Sequence, residues 1–199
     1  LPFIDSTFRA MNVKGSFFFT GNFFKREENR KNLKLLIDHG NFVGSHSYGH
    51  LLYCDWINRD SLLVSRRLFV TDLDKSFRKL SKFGIQKNES SYFLPPYEWY
   101  NDTISAWANE YGLQVVNFTP GTYSNADYTT PDMGSKYMPT DTIYKRILRY
   151  EAKDPDGLNG FLLLIHAGTA PARTDKLYYR LPELIEYLRR VGYKLVRVD

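Results

Sequence analysis

An α/β fold, with parallel strands and helices packed outside them, is what this 199-residue chain predicts. Three observations carry the prediction. Apolar runs of strand length alternate with amphipathic helix patterns from end to end. No internal repeat or linker-like stretch interrupts the alternation, so residues 1–199 read as a single domain. Three clusters of chemistry-bearing residues each directly follow a predicted strand, where barrels and open sheets of this class both gather their sites.

Pro2 to Met11 reads as a short helix with Phe3, Ile4, Phe8 and Met11 on one face. Lys14 to Phe19 is a buried strand ending at Thr20-Gly21. Glu28 to His39 is amphipathic through Leu33, Leu36 and Ile37, and Gly40 is placed to end it. Phe42 to Ser45 is the next strand, and it runs straight into His46. The longest helical pattern extends from Arg59 to Phe83 and closes at Gly84. Ser91 to Leu94 is a strand stopped by Pro95-Pro96, Asp102 to Tyr111 a helix, and Leu113 to Phe118 a strand. Thr119 to Thr140, rich in Pro, Gly, Asn and Thr, reads as a long loop, a length usually functional or mobile. A helix from Asp141 to Ala152, a strand Phe161–Ile165, a helix Leu181–Val191 and a last strand Tyr193–Val198 complete the pattern.

Composition narrows the function. A hydrophobic content of 43% supports a sizeable core. The net charge of +5 is dispersed, with Lys25-Arg26, Arg66-Arg67 and Arg189-Arg190 separated by acidic residues. No basic stripe interleaved with aromatics appears, so nucleic acid is not an expected partner. No apolar run reaches the roughly eighteen residues of a membrane span. Cys54 is the only cysteine, which rules out an internal disulfide and fits either redox compartment. Leu1 to Asp5 has neither an initiator Met nor the basic start and apolar centre of a signal peptide. The 15 Tyr and 3 Trp bring rings that stack on sugars as well as fill cores.

His46-Ser47-Tyr48-Gly49-His50 is the most informative stretch. Two neutral imidazoles at this spacing can converge on one divalent ion, although on a helix such a pair is more often surface or packing histidine. Here the pair leaves a strand through small Ser47 and Gly49. His166 follows the apolar run Leu162 to Ile165 and reads equally as a core histidine or a chemical group. His39, at a helix end, reads as a favourable C-terminal charge.

These residues resemble the polysaccharide deacetylases of carbohydrate esterase family 4, the NodB-homology domain. Lys14 to Gly21 resembles the family's Ala-Thr-Phe-Phe-x-x-Gly strand, and His46 to His50 matches its His-(Ser/Thr)-x-x-His metal motif. Leu94-Pro95-Pro96-Tyr97 resembles Arg-x-Pro-Tyr, Leu164-Ile165-His166 matches Leu-x-His, and Leu181 to Val198 resembles the closing helix and strand. The resemblance implies a deformed (β/α) barrel with fewer than eight full units. It implies a divalent metal, zinc first with cobalt or nickel as alternatives, held by His46 and His50 together with an aspartate. The ion would activate water against an acetyl carbonyl. The Tyr97 backbone N–H would hold the oxyanion, and His166 would protonate the leaving group. Leu164 would shape the acetyl pocket, and Tyr128 would wall it. The partner implied is a polysaccharide, and its usual location implies an extracellular or periplasmic protein.

Two departures from the family pattern stand out. The Thr-Phe-Asp-Asp-Gly motif, source of the catalytic base and the metal-binding aspartate, is absent, and Asp5 lies within the first helix pattern. The expectation is that the motif precedes Leu1. Leu94 replaces the arginine that orients the base. Glu98 reads equally as a substitute in base positioning or as a solvated loop acid. Asp55, Trp56, Trp99 and Tyr100 read equally as sugar contacts or rim packing. A degenerate module that binds carbohydrate without hydrolysis is the alternative reading.

Overall fold

Four parallel strands in the order β1-β2-β3-β4 form the frame that positions the candidate site. They are β1 (Ser16–Phe19), β2 (Phe42–Ser45), β3 (Tyr92–Phe93) and β4 (Gln114–Val115). The computed structural model describes all 199 residues, Leu1–Asp199. It divides into two compact units, Lys14–Asn117 with Val196–Asp199, and Leu1–Val13 with Phe118–Leu195.

The unit that holds the sheet is built from strand–helix–strand crossovers, which parallel pairing demands. Register runs from Ser16 opposite Phe42 to Phe19 opposite Ser45, then Ser45 opposite Phe93 and Tyr92 opposite Gln114. The crossovers pass through α2 (Glu27–Asp38), α3 (Arg66–Leu80) and α4 (Asp102–Glu110). All four residues of β2 are buried, the pattern of a parallel strand covered on both faces. Leu33, Leu36, Phe69, Leu73, Leu80, Phe93 and Ile104 are completely buried in this unit. Each such side chain stabilises the fold by about 1.5–3 kcal/mol relative to exposure.

The predicted helix from Arg59 starts later, at Arg66. Ser65 caps it, its side chain accepting the Leu68 N–H. Upstream the chain turns back as a hairpin. Cys54 bridges Leu62 antiparallel, Asp55 N–H donates to the Ser61 carbonyl at 2.9 Å, and Leu63 N–H donates to Tyr53 at 2.8 Å. The cause is local. Asp55 Oδ1 accepts the N–H groups of Ile57 and Asn58, a side-chain turn that competes with helix formation.

The other unit packs α1 (Pro2–Ala10), α5 (Thr140–Lys153) and α6 (Leu181–Arg190). Its core joins Ile143, Tyr144 and Ile147 of α5 to Leu158, Leu177, Leu184 and Leu188. The predicted strands at 161–165 and 193–198 carry no ladder. Leu162 instead exchanges bonds with Thr119, accepting its N–H at 3.0 Å and donating to its Oγ1 at 3.0 Å. Val198 N–H goes to Ser16 Oγ at 3.0 Å. Side-chain oxygens accept bonds at positions where a ladder needs backbone carbonyls.

The loop at 119–140 is fastened along its second half. It contains short 3-10 turns at Ser124–Tyr128 and Pro131–Lys136. Arg173, fully buried, donates from Nη1 to the Thr129 carbonyl at 2.7 Å. From Nη2 it reaches the Met138 carbonyl at 3.1 Å and Thr140 Oγ1 at 3.0 Å. A buried guanidinium with this many acceptors holds a long loop in one arrangement.

Candidate functional site

His46 leaves β2 at its C-terminal end, its N–H donating to the Phe19 carbonyl at 3.0 Å. Its Nδ1 lies 2.7 Å from the carbonyl oxygen of Leu94. A carbonyl oxygen only accepts, so Nδ1 carries the hydrogen and, in the neutral ring, Nε2 keeps the lone pair. This is the device by which a backbone carbonyl orients a metal-binding imidazole. The ring centroid of His50 lies 4.9 Å away at 68°. The pair therefore fits two nitrogen positions of a zinc-type ion. No third His, Cys, Asp or Glu of the chain joins them as a ligand, so the fit is to part of a ligand set.

The loop bearing the pair is held by a residue that sequence reasoning did not single out. Asp72, buried on α3, accepts the Tyr48 N–H on Oδ2 at 2.7 Å and the Gly49 N–H on Oδ1 at 2.8 Å. Ser47 Oγ accepts the His50 N–H at 2.9 Å. Gly21 closes the loop from β1, donating to the Tyr48 carbonyl at 2.9 Å. A Cβ at Gly21 would lie 2.4 Å from the Tyr48 ring, so only glycine permits this approach. Tyr53, fully buried, has its hydroxyl pKa raised by burial and then by the Asp72 charge.

Of six non-glycine residues with positive φ, four lie in the two loops around the pair: Ser47, His50, Tyr97 and Glu98. Left-handed backbone costs about 1–2 kcal/mol per residue with a Cβ. Such conformations persist only where surrounding bonds impose them, and they cluster at functional loops. Here the bonds are those of Asp72 and Ser47, and the turn in which Glu98 N–H donates to Pro95 at 3.0 Å.

Tyr97 packs its ring on His50 with centroids 4.5 Å apart. Leu94, at the family's arginine position, is buried and serves the site through its carbonyl. Glu98 is half-buried, and its carbonyl accepts Asn117 Nδ2 at 3.0 Å. Trp99 donates its indole N–H to the Asp55 carbonyl at 3.1 Å, and the Arg59 guanidinium covers its ring at 4.3 Å. The backbone N–H groups of Asn58 and Ile57 hold the Asp55 carboxyl below the usual range, so Asp55 serves the hairpin turn. Cys54 is fully buried, and burial raises its thiol pKa.

His166, in the other unit, is gripped by Asp127. Its Nδ1 lies 2.6 Å from Oδ1, and its backbone N–H donates to Oδ2 at 2.9 Å. Asp127 is completely buried. A carboxylate accepts only, which fixes hydrogen on Nδ1 and makes Nε2 the ring nitrogen whose protonation changes between imidazole and imidazolium. Tyr128 sets its ring 5.7 Å from that of His166. Leu164 is half-buried two positions earlier. Sequence reasoning placed Tyr128 at this site but gave no role to Asp127, its neighbour. The available signal was a carboxylate in a loop whose length already marked it as functional.

The family model for polysaccharide deacetylases matches residues 2–116. No curated protein matches the chain. Among solved structures, a CE4-family pseudoenzyme from Bacillus anthracis shares 22% identity and a TM-score of 0.68, over 99% of this chain and 58% of that one. Peptidoglycan deacetylase PdaC from Bacillus subtilis shares 20% identity and a TM-score of 0.69, over 99% of this chain and 80% of that one. Bacillus subtilis PdaA, a family 4 carbohydrate esterase, shares 18% identity and a TM-score of 0.70, over 100% and 72%. At these identities the likeness is one of fold. The chain spans less than two thirds of the first of these structures, at 58%.

Proposed function

The chain belongs to the polysaccharide deacetylase family, and on that premise we propose that it removes acetyl groups from a polysaccharide by metal-dependent hydrolysis. The observation that carries the reading is the prepared imidazole pair. His46 is oriented through Nδ1 by the Leu94 carbonyl, with His50 4.9 Å away. When bound, a divalent ion supplies Lewis-acid activation of water and of the acetyl carbonyl. Zinc suits two imidazoles best, and cobalt and nickel suit them too.

The chain's own residues supply the rest. His46 and His50 hold the ion in a loop fixed by Asp72. The Tyr97 backbone N–H donates to the carbonyl oxygen as negative charge develops on it. His166, as an imidazolium whose Nδ1 hydrogen is held by Asp127, delivers its Nε2 proton to the departing sugar oxygen or nitrogen and is left as the Nδ1–H tautomer, while the proton lost by the attacking water passes to solvent. Leu164 and Tyr128 receive the acetyl methyl. A polysaccharide substrate puts the protein outside the cytoplasm.

Acetate release from acetylated xylan and from chitin oligomers tests the reading, with wild type and His166→Ala compared at equal metal content. The expected result is release by wild type and a loss of at least about 100-fold in the variant, in line with removal of a general acid. Equal turnover in both would remove His166 from the chemistry. A second reading, a module that binds carbohydrate without cutting it, is favoured by Leu94, which cannot orient a base as arginine does. Binding of the same glycans with no acetate from the full-length protein would select that reading.

A further inference from the structure

Beside the histidine pair lies a group of aromatic rings. Trp56, at the tip of the Cys54–Leu62 hairpin, is 55% exposed, and Tyr97 is 45% exposed. Their ring centroids are 5.5 Å apart. Trp56 also rests on Trp99, at 5.7 Å and 32°. Trp99 is committed on two sides, through its N–H to Asp55 and through the guanidinium of Arg59 over its ring. Arg59 is fixed in turn, donating from Nε to the Tyr100 carbonyl at 2.5 Å, while its own carbonyl accepts Asn101 Nδ2 at 3.1 Å.

This arrangement divides the three rings by role. Trp99 and Arg59 are support, while Trp56 and Tyr97 present ring surface to solvent. An indole more than half exposed, at the tip of a turn closed by Asp55, is held open at a cost in unburied apolar area that core packing does not explain. A pyranose offers the complement, an apolar face of C–H groups edged by hydroxyls, which suits an aromatic ring with a polar rim. Because the support is already rigid, little conformational freedom is lost on binding. Tyr97 touches His50 at 4.5 Å, so the surface is continuous with the candidate metal pair.

We propose that Trp56 and Tyr97 form a stacking subsite for one pyranose ring of the glycan, with Trp99 and Arg59 as its fixed support. The proposal rests on the reading of the chain as a carbohydrate-directed protein and names the residues that grip the sugar rather than the acetyl group. It assigns to Trp56, rather than Trp99, the direct sugar contact.

Calorimetric titration of the full-length protein with chitohexaose and with xylohexaose tests it, alongside acetate release from the acetylated polymers. Trp56→Ala is expected to weaken oligosaccharide binding about tenfold, ~1.4 kcal/mol. Trp56→Phe, which keeps a ring, should stay within about threefold of wild type. Trp56→Ala binding as tightly as wild type, Trp56→Phe falling as far as Trp56→Ala, or no binding of either hexasaccharide by wild type would each overturn the subsite. The two readings fail separately. Binding that depends on Trp56 without acetate release sinks hydrolysis and keeps the subsite, whereas acetate release with Trp56-independent binding does the reverse.

Discussion

Asp127 holds His166 at two atoms, with Oδ1 2.6 Å from the ring Nδ1 and Oδ2 accepting the backbone N–H at 2.9 Å. The carboxylate is completely buried while the imidazole stays partly exposed. A buried acceptor thus fixes both the tautomer and the ring plane.

Asp127→Asn keeps the shape and one acceptor but removes the charge that fixes the Nδ1 hydrogen. Deacetylation turnover is expected to fall about 10–100-fold, the usual effect of losing a partner that orients an imidazole. KM and metal content should stay near wild type. A matching loss of metal would mean that the substitution disrupts the fold rather than the imidazole.

Asp72→Ala removes the acceptor of two N–H groups in the loop between His46 and His50. Urea unfolding should show a loss of about 1–3 kcal/mol, from two part-buried donors that lose their charged acceptor. Metal affinity should fall with it, because the loop that sets the two rings loses its clamp. Asp72→Asn, which retains one acceptor, should lie between the variant and wild type on both measurements.

Burial raises the Cys54 thiol pKa above its ordinary value of 9.0. A group whose pKa is raised on folding favours the native state fully below its unfolded value. That contribution is lost as pH rises from about 9.0 through the raised folded value. Unfolding free energy measured from pH 8 to 10 should therefore fall more steeply in wild type than in Cys54→Ala. At pH 8 the thiol should react with a disulfide reagent only after denaturation, since it is completely buried.

The order of strands and helices in the sheet unit was legible because parallel strands read as apolar runs, as Phe17-Phe18-Phe19 does although only Phe19 of the three is buried. The pattern extends the helix too far upstream because Leu62 stands at helical spacing before Phe69, while Asp55 and Ser65 impose a turn and a cap. The apolar run Leu162–Ile165 looked like a strand, yet ladder formation depends on a neighbour that sequence does not reveal. His46 and His50 stood out as a spaced pair of the same residue type. Asp72 did not, because its partners are backbone N–H groups 23 and 24 residues away that leave no side-chain signature. Trp56 and Trp99 were both visible as aromatics, but only the Asp55 and Arg59 contacts separate contact from support.

Metal content measured on wild type, His46→Ala and His50→Ala, with acetate release followed on the same samples, tests the central claim most directly. The account predicts stoichiometric divalent metal and acetate release in wild type, and loss of both in each variant. Full metal occupancy together with undiminished release in His46→Ala would contradict it.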